Sequence, residues 1–221
     1  MTPNLREELI SLARQNQTQD DPSHDFQHVL RVFNVAERIA TIEKADLDVV
    51  IPAALFHDVV VFRKTDSRSS QETDLSAEYV YRILRVSREF PDGKIGLVQQ
   101  CIRECSYSKG LPPSSLESAI LQDADRLEAT GVISIMRTFA SCGLLNLPFY
   151  PDEDPLCKNG SVLKRSGVDL FYSRLLLVEK QMNTNRGKFM ARQRTNFLKQ
   201  FLHELQIELA ESGIVERSEL I

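Results

Sequence analysis

Four residues in this chain are of the types that hold a divalent cation: His28, the adjacent pair His57-Asp58, and Asp125. Imidazole and carboxylate together suit borderline-to-hard divalent ions, in sites that leave positions for water. Each residue lies in a segment that otherwise reads as amphipathic helix, so three distant helices converging on one cation would make the active centre of a metal-dependent hydrolase. The local contexts favour such a role. His57-Asp58 ends the apolar run Ala53-Ala54-Leu55-Phe56, where burying an ionisable pair is costly unless a cation or partner compensates. Asp125 sits between Ala124 and Arg126-Leu127, in a helix that offers Ala119, Ile120, Leu121 and Leu127 to a core. Plainer readings exist for each: a hydrogen-bonded His28, a helix-terminal polar pair, and an Asp125–Arg126 ion pair.

The elements that must position these residues are helices throughout. Leu5, Leu9, Leu12 and Ala13 form one apolar stripe, and Phe26 through Ala40 form a second that Ser23 or Asp25 can cap. Asp46 caps a third helix running to His57-Asp58, in which Pro52 predicts a bend or a late start. After the segment 59–70, helices are predicted over 75–88, 94–105, 114–130 and 132–140. The Pro-, Gly-, Asp- and Asn-rich stretch 142–167 reads as a long surface loop, with Phe149 and Tyr150 as lid candidates. Helices over 168–182 and 187–210 complete an all-α chain with no alternating strand and no internal repeat.

At 221 residues and 42% hydrophobic content, one full core is expected and a single domain over 1–221 suffices. The net charge of −4 gives no general attraction to nucleic acid or to anionic membranes, so neither is expected as a partner. The first sixteen residues lack the apolar core of a signal peptide, and no run approaches the roughly 18 apolar residues of a membrane span. A cytoplasmic protein is expected. Cys101, Cys105, Cys142 and Cys157 form no CxxC pair and read as reduced, structural thiols.

Three segments, Ser23-His24-Asp25-Phe26-Gln27-His28-Val29-Leu30-Arg31-Val32, Ala53-Ala54-Leu55-Phe56-His57-Asp58-Val59 and Gln122-Asp123-Ala124-Asp125-Arg126-Leu127, resemble, in order, the motifs of the HD-domain phosphohydrolase superfamily. The likeness is greatest to its small stand-alone members, and Ser106-Tyr107-Ser108-Lys109-Gly110, residues 131–139 and Met182-Asn183-Thr184 extend it over most of the chain. It implies an all-α HD fold with His28, His57, Asp58 and Asp125 as metal ligands. Asp123 is a rival for the last place. The family's Ala-Asp-Arg-Leu step selects Asp125, and residues two apart on a helix point about 200° apart, so both can hardly serve. His24, four residues before His28, is expected to cap the helix or face substrate. The family commonly has a histidine where this chain has Cys105, a departure that bears on specificity or activity.

The chemistry implied is hydrolysis of a phosphate ester or anhydride by metal-activated water, with Asp58 orienting that water or taking its proton and Glu72 as an auxiliary base. Cations must neutralise the non-bridging oxygens; Arg31, Arg63, Lys64, Arg68 and Lys109 lie near the motifs in sequence. Resemblance to nucleotide pyrophosphohydrolases makes a nucleoside or deoxynucleoside triphosphate the first choice of substrate, with monophosphate and pyrophosphate as products. Manganese is the favoured metal, with magnesium, cobalt, nickel or iron as alternatives, and a homodimer is allowed. Other readings are a 5′-nucleotidase or phosphodiesterase of the same superfamily, or a catalytically weak metal- and nucleotide-binding module.

Overall fold

The computed structural model describes residues 1–16, 25–62, 66–158 and 166–216, and among these it contains helices and turns but no strand. The chain divides into two compact units. The first comprises residues 1–126 and 183–187, and the second comprises 127–182 and 188–221.

The first unit is built around α3 (Leu47–Phe56), in which every residue from Val49 to Phe56 is buried. It packs against α2 (Phe26–Glu43), α5 (Asp92–Cys105) and α6 (Leu116–Arg126), and α4 (Glu72–Val86) lies on α5. The amino-terminal α1 (Pro3–Asn16) adds Leu5, Leu9 and Ala13 to this core. Asp46 caps α3 by accepting the Asp48 N–H at 3.0 Å, so the helix starts at Leu47 and runs through Pro52 instead of beginning after it. A mid-helix proline costs about 3 kcal/mol. Burying Val49, Val50, Ile51, Leu55 and Phe56 contributes about 1.5–3 kcal/mol each, which outweighs that cost. The other capping alternative also resolves: Asp25 caps α2, and its carboxylate accepts the His28 N–H at 2.9 Å. Lys44, at φ 60°, terminates α2 in the left-handed conformation.

In the second unit, α7 (Val132–Leu145), α8 (Gly167–Ser173), the 3₁₀ segment Leu175–Gln181 and the part of α9 (Asn185–Glu211) beyond Gly187 surround Phe171, Leu175 and Leu198. Phe171 stacks on Phe201 with ring centroids 5.4 Å apart. A Cβ on Gly167 would lie 2.4 Å from the Phe139 ring, so only glycine fits there. The predicted loop boundary at 142 differs from the structure. Helix α7 continues to Leu145 because Cys142 is fully buried and Asn146 closes the helix at φ 52°. The predicted helix 168–182 breaks at Arg174 into α8 and the 3₁₀ segment.

Candidate metal centre

Three helix ends in the first unit bring His28, His57, Asp58 and Asp125 together. His28 is in the first turn of α2, its backbone fixed by the Asp25 cap. His57 is the C-cap of α3 and Asp58 follows it. Asp125 lies in the last turn of α6. Asp58 Oδ2 is 3.5 Å from the Nε2 atoms of both His28 and His57. Asp125 Oδ1 is 3.6 Å from His28 Nε2 and 4.0 Å from His57 Nε2. One ligand atom each from His28, His57 and Asp125 lies within 4.8 Å of the others, an arrangement that could hold a metal ion. Both imidazoles are buried, whereas the side chains of Asp58 and Asp125 are 27% and 29% exposed. The cluster therefore opens to solvent on its carboxylate side.

The chemistry of His57 fits a cation. Its Nδ1 lies 2.8 Å from the Ala54 carbonyl oxygen, which can only accept, so Nδ1 carries a proton and donates. In the neutral ring the lone pair is then on Nε2, the arrangement that metal-binding histidines use. That Nε2 is buried and makes no hydrogen bond among the described residues. A buried polar atom without a partner costs roughly 1–3 kcal/mol, and a cation relieves the cost.

Asp123 is occupied elsewhere. Its Oδ1 accepts the Asn183 N–H at 2.8 Å and the Asn183 side-chain amide at 3.1 Å, and its Oδ2 accepts the Thr184 N–H at 2.8 Å and the Thr184 hydroxyl at 2.7 Å. Burial pushes the Asp123 carboxyl above its ordinary value, against the pull of these donors. The clamp leaves no room beside it: a Cβ on Gly187 would lie 2.2 Å from Asp123 Oδ2. Adjacent Gln122 donates to the carbonyls of Glu104 and Leu111 and accepts from Asn183. Gln122, Asn183 and Thr184 hold the end of α6 with Asp123, and the sequence alone assigned no role to these three. The likeness at Met182-Asn183-Thr184 was the available signal.

Cys105 is buried at the end of α5. Burial, with the charges of Asp125 and Asp58 adding to it, holds its thiol well above the usual value, so it stays protonated. Glu104, 4% exposed, ties α5 to the start of α6, accepting from the Ser114 N–H at 3.0 Å, the Ser118 hydroxyl and the Gln100 side chain at 2.5 Å.

The remaining sequence-predicted site residues have varied placements. Glu72 accepts the Phe62 N–H at 2.7 Å and so fixes the segment that follows Asp58. Ser76 holds the same segment by accepting the Val60 N–H at 3.1 Å. Arg68 stacks over the Phe62 ring and makes two side-chain bonds to Asp66, at 3.1 and 2.8 Å. Lys109 donates to the Thr73 hydroxyl at 2.7 Å and to Asp74 at 2.8 Å. Arg31 is half-buried on α2, one turn beyond His28. His24, Arg63 and Lys64 lie outside the described residues. Of the lid candidates, Phe149 is 64% exposed and packs edge-on against Phe139. Among the described residues, no helix is long and apolar enough to cross a membrane.

The HD domain family model matches residues 25–130. The Bacillus subtilis protein YpgQ is 30% identical over 192 residues, covering 87% of each chain. The crystal structure of Bacillus subtilis YpgQ in complex with ADP is similar with a TM-score of 0.70 and 24% identity, over 93% of this chain and 95% of that one. An HD-superfamily hydrolase from Bacillus thuringiensis is similar with a TM-score of 0.70 and 25% identity, over 93% and 96%.

Proposed function

Because the chain belongs to the HD domain family, we propose that it is an HD-superfamily hydrolase that cleaves nucleoside or deoxynucleoside triphosphates to monophosphate and pyrophosphate. His28, His57, Asp58 and Asp125 hold its divalent ion, with manganese the first choice, and it works in the cytoplasm. The observation that carries this reading is the meeting of two buried imidazoles and two half-buried carboxylates, with His57 Nε2 left without a hydrogen bond among the described residues. The ADP bound in the YpgQ crystal structure supports a nucleotide as the substrate class.

A divalent ion held at these residues lowers the pKa of water and polarises a phosphoryl oxygen. The chain's own groups do the rest. Ala54 fixes the His57 tautomer, and the buried imidazoles keep the inner side of the site dry. Asp58, on the solvent-facing side, orients the attacking water or accepts its proton. Glu72 supports this by holding the segment after Asp58 in place. Arg31, Arg68 and Lys109, together with His24, Arg63 and Lys64, are the side chains assigned to the phosphates. Arg68 and Lys109 must exchange Asp66 and Asp74 for substrate to serve there.

Release of phosphate and of pyrophosphate from a nucleotide panel, with manganese, magnesium, cobalt or nickel added to metal-stripped protein, tests the reading. Metal-dependent pyrophosphate release that is lost in Asp58→Ala is the expected result. Phosphate release alone would move the protein to the phosphatase branch. No turnover with any metal would overturn the hydrolase reading.

A further inference from the structure

In the second unit, α9 carries Lys188, Arg192, Thr195 and Lys199 at i, i+4, i+7 and i+11, which the helical repeat places within about 60° on one face. With Leu176, Glu179 and Lys180 of the 3₁₀ segment they line a cavity of about 310 Å³. The lining has four cations and one carboxylate, and that carboxylate, Glu179, is bound by Arg192 Nε at 3.0 Å. Among the described residues, no carboxylate lies within ion-pair distance of Lys180, Lys188 or Lys199. Thr195, 2% exposed, and half-buried Leu176 belong to the inner wall. Three exposed lysines and an exposed arginine gathered around one half-open pocket, in a chain of net charge −4, form a local basic patch that suits an anionic ligand.

We propose that this cavity is a second anion site that takes a linear polyphosphate chain, either free or as the triphosphate of a nucleotide. The three lysines that have no ion pair among the described residues exceed what a single phosphate would need, and a chain of phosphates presents one or more charges to each of them. Nucleic acid fits less well. Its backbone needs an extended basic track, whereas the four cations here gather around one half-open pocket. All seven lining residues belong to the second unit and the four metal-cluster residues to the first, so neither site's failure implies the other's.

Calorimetric titration of inorganic tripolyphosphate into metal-free, full-length protein tests the proposal, with wild type, Asp125→Ala and the double variant K188E/K199E compared after circular dichroism confirms their fold. The expected result is one binding event per chain in the wild type. It should be retained in Asp125→Ala and weakened about tenfold or more in K188E/K199E, as attraction becomes repulsion. If the double variant fails to fold, Lys180→Ala and Lys188→Ala singly serve instead and should each weaken binding. ATP binding as tightly as tripolyphosphate would identify the phosphate chain as the ligand, and tighter ATP binding would identify a nucleotide as its source. Absent binding, binding unaffected by the lysine variants, or binding lost in Asp125→Ala would overturn the proposal. So would an oligonucleotide binding more tightly than either phosphate compound.

Discussion

His57 Nδ1 donates to the carbonyl oxygen of Ala54, one turn back at the end of α3, at 2.8 Å. This bond directs Nε2 toward Asp58 and the solvent-facing side of the cluster, where it makes no hydrogen bond among the described residues. A ligand that binds only the folded chain stabilises it by about 2.7 kcal/mol at a hundred times its dissociation constant. Manganese at that concentration should therefore raise the melting temperature of wild-type protein by several degrees. In His57→Ala the rise should vanish, as differential scanning fluorimetry would record.

Asp123 and Asp125 divide the labour of the last turns of α6. Removing the Asp123 carboxylate leaves the backbone donors of Asn183 and Thr184 without their acceptor. Unfolding by urea should show Asp123→Ala destabilised by about 3 kcal/mol or more, the scale for losing hydrogen bonds to a buried charge. Asp125→Ala should cost far less stability in the absence of metal, because that side chain is half-buried. Equal losses in the two variants would contradict the division.

How much of this could be read from the sequence differs between the two aspartates. The helices, the Asp46 cap, a cap for α2 at Ser23 or Asp25, and the apolar run that ends at His57 follow from local periodicity and side-chain chemistry, so the candidate cluster was legible. The role of Asp123 was not, because it depends on Asn183 and Thr184, sixty residues on. The break at Arg174 and the extension of α7 past Cys142 likewise depend on packing within the second unit, which no local pattern encodes. Arg68 and Lys109 looked available for phosphate by proximity to the motifs, but the structure gives each an acidic neighbour, Asp66 and Asp74.

Glu104 makes stability depend on pH. Burial pushes its carboxyl up, but the hydrogen bonds from Ser118, Ser114 and Gln100 outweigh burial and hold it below the ordinary value. A folded-state value below the unfolded one, about 4.3, gives stability that is complete above that pH and lost as the pH falls through the folded value. Unfolding free energies measured from about pH 5 to pH 3 should therefore fall less steeply in Glu104→Gln than in wild type. Parallel slopes would count against the assignment.

The Cys105 thiol, buried and held protonated beside Asp125 and Asp58, is not a metal ligand in this account. Manganese affinity in Cys105→Ala should stay within about threefold of wild type, well short of the tenfold that 1.4 kcal/mol would produce. The native protein should also leave this thiol unmodified by a thiol reagent at neutral pH. Rapid modification, or a large loss of affinity in the variant, would make Cys105 part of the site.

The metal centre itself is tested by the stoichiometry and affinity of manganese binding to metal-stripped protein, measured by titration for wild type, His57→Ala, Asp125→Ala and Asp123→Asn. One tightly bound ion per chain is expected. Binding should be lost or weakened about a hundredfold or more in the first two variants, and largely kept in any Asp123→Asn protein that folds. Tight binding that survives both His57→Ala and Asp125→Ala would contradict it.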